Sequence, residues 1–145
     1  MQPELKGYQR NALDAIRAHR LCSLNPLLAV APPGAGKSRI MTELAIQERT
    51  TGRVIIQVHR TMLLEQIQGV LNDHGVPHTV LAPGYKYDPE SAVQVVMGQT
   101  LFSRAVRRGQ IDLPNCSLLL VDEAHQQASE MQKAILHGSV DGQFQ

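Results

Sequence analysis

The sequence has no tryptophan, and only 3% of its 145 residues are aromatic, which argues against a binding surface built from rows of stacked rings. Net charge is small as well: 14 Lys and Arg against 13 Asp and Glu leave +1. That near balance excludes a strongly basic nucleic-acid coat or an acidic tail, though not a local basic patch. Cysteine is scarce. Cys22 and Cys116 form no CxxC pair, and no Cys/His cluster has zinc spacing. Compartment chemistry favours two reduced, buried thiols in a cytoplasmic protein. No apolar run approaches the ~18 residues of a membrane span. The start, Met1-Gln2-Pro3-Glu4, lacks the basic-then-apolar layout of a signal peptide, and no membrane partner is expected. Internal repeats and low-complexity tracts are also missing.

What the sequence does have is alternation. Residues 8–20 put Ala12, Leu13 and Ile16 at helical spacing. Leu27 to Ala31 (LLAVA) is a continuous apolar run ahead of Pro32-Pro33-Gly34, the pattern of a buried parallel strand. Ile40, Met41, Leu44 and Ala45 recur at three- and four-residue steps within a helix over 37–48. Further strands are expected at 53–58, 78–81, 92–97 and 117–121, the last one buried. Helices are expected at 62–72, at 99–108 up to Gly109, and at 127–136 up to Gly138, and residues 82–90 read as a loop. Strands alternating with helices of this length give an α/β domain: a mostly parallel sheet with helices on both faces. No boundary divides the chain, and residues 138–145 read as a frayed polar tail.

Residues 31–38 are A-P-P-G-A-G-K-S, close to the P-loop pattern GxxxxGK[ST] with Ala31 in place of the first glycine. The physics survives that change. Gly34 and Gly36 leave the backbone free to take positive φ, so successive N–H groups can converge into an anion nest. A helix starting near Lys37 adds the positive end of its dipole. Lys37 can then reach the β- and γ-phosphates, and the Ser38 hydroxyl can ligate Mg²⁺. A Gly-rich turn with an exposed lysine would carry the same letters, but the apolar run before and the periodic helix after favour a nucleotide site. Downstream, the apolar run 117–121 delivers Asp122-Glu123-Ala124-His125 to a strand's carboxyl end, where parallel sheets bind ligands. Asp122 suits a Mg²⁺ ligand opposite the P-loop hydroxyl, and Glu123 is placed to orient an attacking water. By itself Asp122 could equally be a helix N-cap.

A P-loop together with D-E-A-H resembles the superfamily 2 helicases and translocases, and further residues extend the likeness. Leu5-Lys6-Gly7-Tyr8-Gln9 is similar to the family's L-R-x-Y-Q element. Val58-His59-Arg60 with Leu63, Leu64 and Gln66 resembles motif Ia, and Val96 to Leu101 resembles motif Ib. The resemblance implies a three-layer, RecA-like P-loop NTPase domain over residues 4–137. It implies ATP and Mg²⁺, with Pro33, Gly34, Ala35, Gly36, Lys37, Ser38 and Arg39 around the nucleotide. Gln9 inherits a contact with the adenine edge, which an amide can make through the N6 amine and N7. Asp122, Glu123 and His125 join Lys37 as catalytic residues, with His125 coupling the site to neighbouring motifs. His59, Arg60, Gln99 and Thr100 inherit contacts to a nucleic-acid backbone, DNA in preference to RNA because the P-T-R-E-L-A run of the DEAD-box group is missing. Arg104, Arg107 and Arg108 read instead as a solvated helix face.

Departures from the family pattern matter too. No S-A-T or T-A-T follows His125, and neither a second RecA-like domain nor its arginine finger, worth ~10³–10⁵ in rate, is recognisable here. The expectation is an N-terminal motor domain that alone binds ATP·Mg²⁺ weakly and hydrolyses it slowly, if at all, and that needs a second domain, in a longer chain or a partner, to move on DNA. Two other readings stay open: a nucleotide or nucleic-acid binding module without turnover, and a different P-loop enzyme such as a small kinase.

Overall fold

Every strand that the residue pattern assigns to the middle of the chain is short, β-branched and sealed between layers. The computed structural model describes residues 4–23, 27, 29–32 and 34–122. Within them, β1 (Val54–Val58), β2 (Thr79–Leu81), β3 (Val93–Met97) and β4 (Leu118–Val121) form one parallel sheet in the order β2-β3-β1-β4. Parallel strands need crossover connections, and helices supply them. The helices are α1 (Gly7–Cys22), α2 (Lys37–Glu48), α3 (Thr61–Asp73) and α4 (Gly98–Leu101), the last running into a π-helical segment at Phe102–Arg107.

The strands' two-residue period splits the core into two layers. On one face Val54, Ile56, Val58, Val93 and Val95 pack with Ala45 of α2 and with Leu64, Ile67 and Leu71 of α3. On the other, Ile55, Leu81 and Val96 pack with Leu101, Leu113 and the half-buried Phe102, Ala105 and Val106. The expected α/β architecture with helices on both faces is therefore present. α1 lies outside, against α2, with Leu13 buried between them. No helix among the described residues is long and apolar enough to cross a membrane.

Four expectations need correction. The apolar run 27–31 is not a buried strand in its described residues: Val30 is 87% exposed and Leu27 47%. A continuous apolar run states only that burial would be favourable; a strand also needs a neighbour to take its N–H and C=O groups, and no described strand pairs with it. β4 forms as expected but is half-buried along its length rather than sealed, because β1 is its one described neighbour. The helix expected over 99–108 changes register after Leu101, where bonds such as Arg108 N–H to the Ser103 carbonyl at 3.0 Å span five residues. Gly109, at φ +59°, ends it. Cys22 is exposed at the end of α1, so only Cys116 has the shelter expected of both thiols. The expected helix at 127–136 and the tail at 138–145 lie outside the described residues.

Candidate functional site

The glycines of the 31–38 segment adopt the backbone their sequence context suggests. Gly34 has φ +79° and Gly36 φ +76°, the left-handed region where a side chain is costly. The Ala35 N–H closes a turn onto the Pro32 carbonyl at 3.2 Å. Gly36 then caps α2, its carbonyl accepting from Arg39 and Ile40 at 3.1 and 3.2 Å. The first N–H groups of such a helix have no intrahelical acceptor and carry the positive end of its dipole. Lys37, Ser38 and Arg39 occupy this first turn, each half-buried. Pro33 lies outside the described residues.

Chain direction determines where this turn sits. α2 ends at Glu48 and the chain re-enters the sheet at Val54. Twelve helical residues return about 18 Å, and five strand residues about 16 Å. The start of α2 therefore lies toward the carboxyl end of β1. Asp122 sits at that same end. Its N–H continues the β4 ladder onto the Gln57 carbonyl of β1 at 3.1 Å. Glycine loop and acidic strand end thus share one edge of the sheet. Glu123 and His125 lie outside the described residues.

The same edge gathers the two other segments singled out in the sequence. β1 and β3 are neighbours in register, Val58 opposite Met97, so His59 and Arg60 leave the sheet beside Gly98, Gln99 and Thr100. The approach is close. A Cβ built on Gly98 would stand 2.8 Å from the His59 ring and 2.9 Å from the Gln57 amide nitrogen. Glycine is needed here for lack of room, not for its φ. Arg60 and Gln99 are exposed, while His59 and Thr100 are half-buried. The Arg60 carbonyl starts α3 by accepting from Leu63 and Leu64, both at 3.1 Å.

Two features escaped the sequence reading. Gln57, wholly buried, is the polar residue in an otherwise apolar strand, and that interruption was the available signal. A cleft of about 450 Å³ opens beside α2, lined in part by Glu4, Leu5, Arg10, Arg39 and Glu43; of these only Leu5 and Arg39 had been marked. Gln9, expected at a base edge, is 7% exposed and turned toward the glycine loop, its Nε2 donating to the Ala35 carbonyl at 3.2 Å. Among the described residues no group of three or more His, Cys, Asp or Glu could hold a metal ion alone. A cation here would need phosphate oxygens besides Ser38 and Asp122.

A parallel α/β sheet with a glycine loop feeding a helix at one edge, and an acid ending a strand at that same edge, defines a RecA-like ATP-binding domain of the superfamily 2 helicase kind. Residues 2–141 match the type III restriction enzyme res subunit family, and the chain belongs to that family. Such helicase-like domains use ATP. A 51.5 kDa protein of Lactococcus phage (isolate 7-9) is 42% identical over 48 residues. That match covers 32% of this chain and 11% of the phage protein.

Proposed function

We propose that the chain is the ATP-binding half of a DEAH-type motor that hydrolyses ATP to move on DNA, with residues 4–137 as the nucleotide unit. The other half is a second RecA-like domain, in a longer chain or a partner. One observation supports this most: the glycine loop and the Asp122 strand end turn toward the same edge of the sheet. The exposed residues of the 59–60 and 98–100 segments leave that edge too, where a nucleic-acid backbone could lie across the domain.

In this reading the triphosphate sits on the N–H groups of residues 34–38, with the Lys37 ammonium against the β- and γ-oxygens. Ser38 and Asp122 offer a hydroxyl and a carboxylate, hard oxygen donors of the kind Mg²⁺ takes. When bound, the ion neutralises charge on the phosphate oxygens. The Glu123 carboxylate orients a water in line with the γ-phosphorus. The oxygen–phosphorus bond forms as the bond to the β–γ bridging oxygen breaks, and the water's proton passes toward Glu123. Arg60 and Gln99 hold DNA phosphates, with His59 and Thr100 beside them.

The test is calorimetric titration with ATP·Mg²⁺. Lys37→Ala should weaken binding about tenfold to a hundredfold, the worth of one charge-assisted hydrogen bond. Equal affinity in that variant would remove the phosphate site. In a longer protein carrying this domain, Glu123→Gln should keep ATP binding and lose turnover; undiminished hydrolysis would take Glu123 out of the mechanism.

A further inference from the structure

Gln9 uses both ends of its side-chain amide in the protein itself. Its Oε1 accepts the Lys6 N–H at 2.9 Å and closes the first turn of α1. Its Nε2 donates to the Ala35 carbonyl at 3.2 Å, within the glycine loop. The fit is tight enough that a Cβ on Gly36 would strike the same Nε2. Farther along, α1 is tied to α2 again. Arg20 Nη1 meets Glu48 Oε2 at 2.6 Å, and Arg17 Nε lies 3.4 Å from Glu48 Oε1. Contacts 9–35 and 20–48 advance together along both helices, so α1 and α2 run parallel. Gln9 therefore acts at the amino end of α2, where the phosphates of the proposed reading would sit.

Peptide geometry gives this contact a consequence. The Ala35 carbonyl and the Gly36 N–H belong to one trans planar unit and point in opposite directions. Holding the carbonyl from the α1 side fixes the plane and aims the Gly36 N–H away from Gln9. With Gly36, at φ +76°, on one side of it, this unit would otherwise rotate more easily than one flanked by two side chains, because glycine carries no Cβ to resist. We infer that Gln9 is a positioning residue for the phosphate site: it locks the 35–36 peptide so that the Gly36 N–H faces the anion, whatever base the nucleotide carries. An amide that also read a base would couple base recognition to phosphate affinity through this one side chain. The inference rests on the proposed phosphate site.

The experiment uses a ligand with no base. Inorganic tripolyphosphate and ATP are titrated into the wild-type chain, Gln9→Met and Gln9→Glu. Gln9→Met removes donor and acceptor without adding charge. It should weaken tripolyphosphate roughly fivefold, as expected for the loss of one hydrogen bond. The backbone N–H order parameter at Gly36 should fall in the unliganded variant, a change that mere loosening of the distant α1–Glu48 contact would not produce. Gln9→Glu keeps an acceptor for Lys6 and lacks the donor, so it serves if the Met variant does not fold. In high salt, where the added carboxylate is screened, it should show a similar loss. Wild-type tripolyphosphate affinity in either folded variant, with ATP alone weakened, would overturn the inference and leave Gln9 a base reader only. A wild-type chain that binds neither ligand would bring down the phosphate site itself, and the inference with it.

Discussion

The two ends of the sheet are built from the same four strands and are finished differently. At the amino end the polar groups are used up on one another. The Ser117 hydroxyl donates to the Arg53 carbonyl at 3.0 Å. The Arg53 guanidinium reaches the Asn115 carbonyl at 3.4 Å and pairs with Glu90 at 3.5 Å. Gly52 lies so close to Ser117 that a Cβ would stand 2.7 Å from the serine's own Cβ. At the carboxyl end the strands deliver glycines, Asp122, His59, Arg60 and Gln99, with Arg60 and Gln99 out in solvent. One end closes the fold; the other presents the Arg60 and Gln99 side chains to solvent. Substitutions at the two ends should therefore fail in different assays.

The sharpest form of that contrast pairs Gly52→Ala with Arg60→Ala. The new methyl at 52 would also strike the Ser117 hydroxyl, forcing apart β1 and β4 at their starts. Overpacking of this kind costs about 2 kcal/mol, seen as a lower urea midpoint, while ATP affinity of the folded fraction stays unchanged. Arg60→Ala removes an exposed side chain from a position that caps α3 through its backbone, so stability should move by less than about 0.5 kcal/mol. Its loss should appear in DNA affinity and in a shallower dependence on salt. A Gly52→Ala protein as stable as wild type, or an Arg60→Ala protein that melts early with DNA binding intact, would break the distinction between the ends.

How much of this was legible beforehand depended on whether a feature is local. VIIQV and LLAVA look alike as runs, yet Val54 to Val58 are sealed and Val30 is 87% exposed. The difference lies in neighbours: β1 has β3 and β4 on its two sides, which no run of letters records. The glycine loop was legible because positive φ, a helix start and a lysine are all set within eight residues. Asp122 was legible because an apolar strand must end somewhere, and a parallel sheet binds ligands where its strands end. Gln9 was marked for a contact with the adenine edge, not for one with the glycine loop. Its bond to Ala35 depends on how α1 lies on α2, and spacing along one helix says nothing of that. The shift to π-register after Leu101 was hidden for the same reason: Phe102, Ala105 and Val106 follow the packing of the sheet's second face.

Near the amino end a second, smaller effect sharpens the comparison. Tyr87 donates to Gln94 Oε1 at 2.6 Å, and Gln94, wholly buried on β3, gives its own N–H groups to the Pro89 and Ser91 carbonyls at 2.9 and 3.1 Å. This closes the 82–92 loop over the sheet. Tyr87→Phe leaves a buried acceptor unpaired and should cost about 1–2 kcal/mol at neutral pH. Burial pushes the Tyr87 hydroxyl up from 10.0 to about 12. The folded state thus holds this proton more tightly than the unfolded chain does. Its stabilising contribution is complete below pH 10 and is lost as pH rises toward about 12. The gap between wild type and Tyr87→Phe in urea midpoint should narrow across that alkaline window; a gap that widens there would mean Tyr87 is not held by this bond.

The smallest effect concerns the two thiols, one exposed and one partly covered. Cys22 is exposed at the end of α1, whereas Cys116 is partly covered just before β4. Burial pushes the Cys116 thiol up from 9.0 to about 11, against a smaller opposing pull from Arg53. Only the thiolate reacts with alkylating reagents, so at neutral pH Cys116 is both shielded and almost wholly protonated. Cys22 should take up a neutral maleimide first, without loss of ATP or DNA binding. Labelling of Cys116 should climb about tenfold per pH unit toward about 11, faster still in Gly52→Ala, where the adjoining strand starts are pried apart. Equal rates at the two cysteines in the native protein would mean that the start of β4 is as open as the exposed end of α1, and that the amino end of the sheet is not closed by its own polar groups.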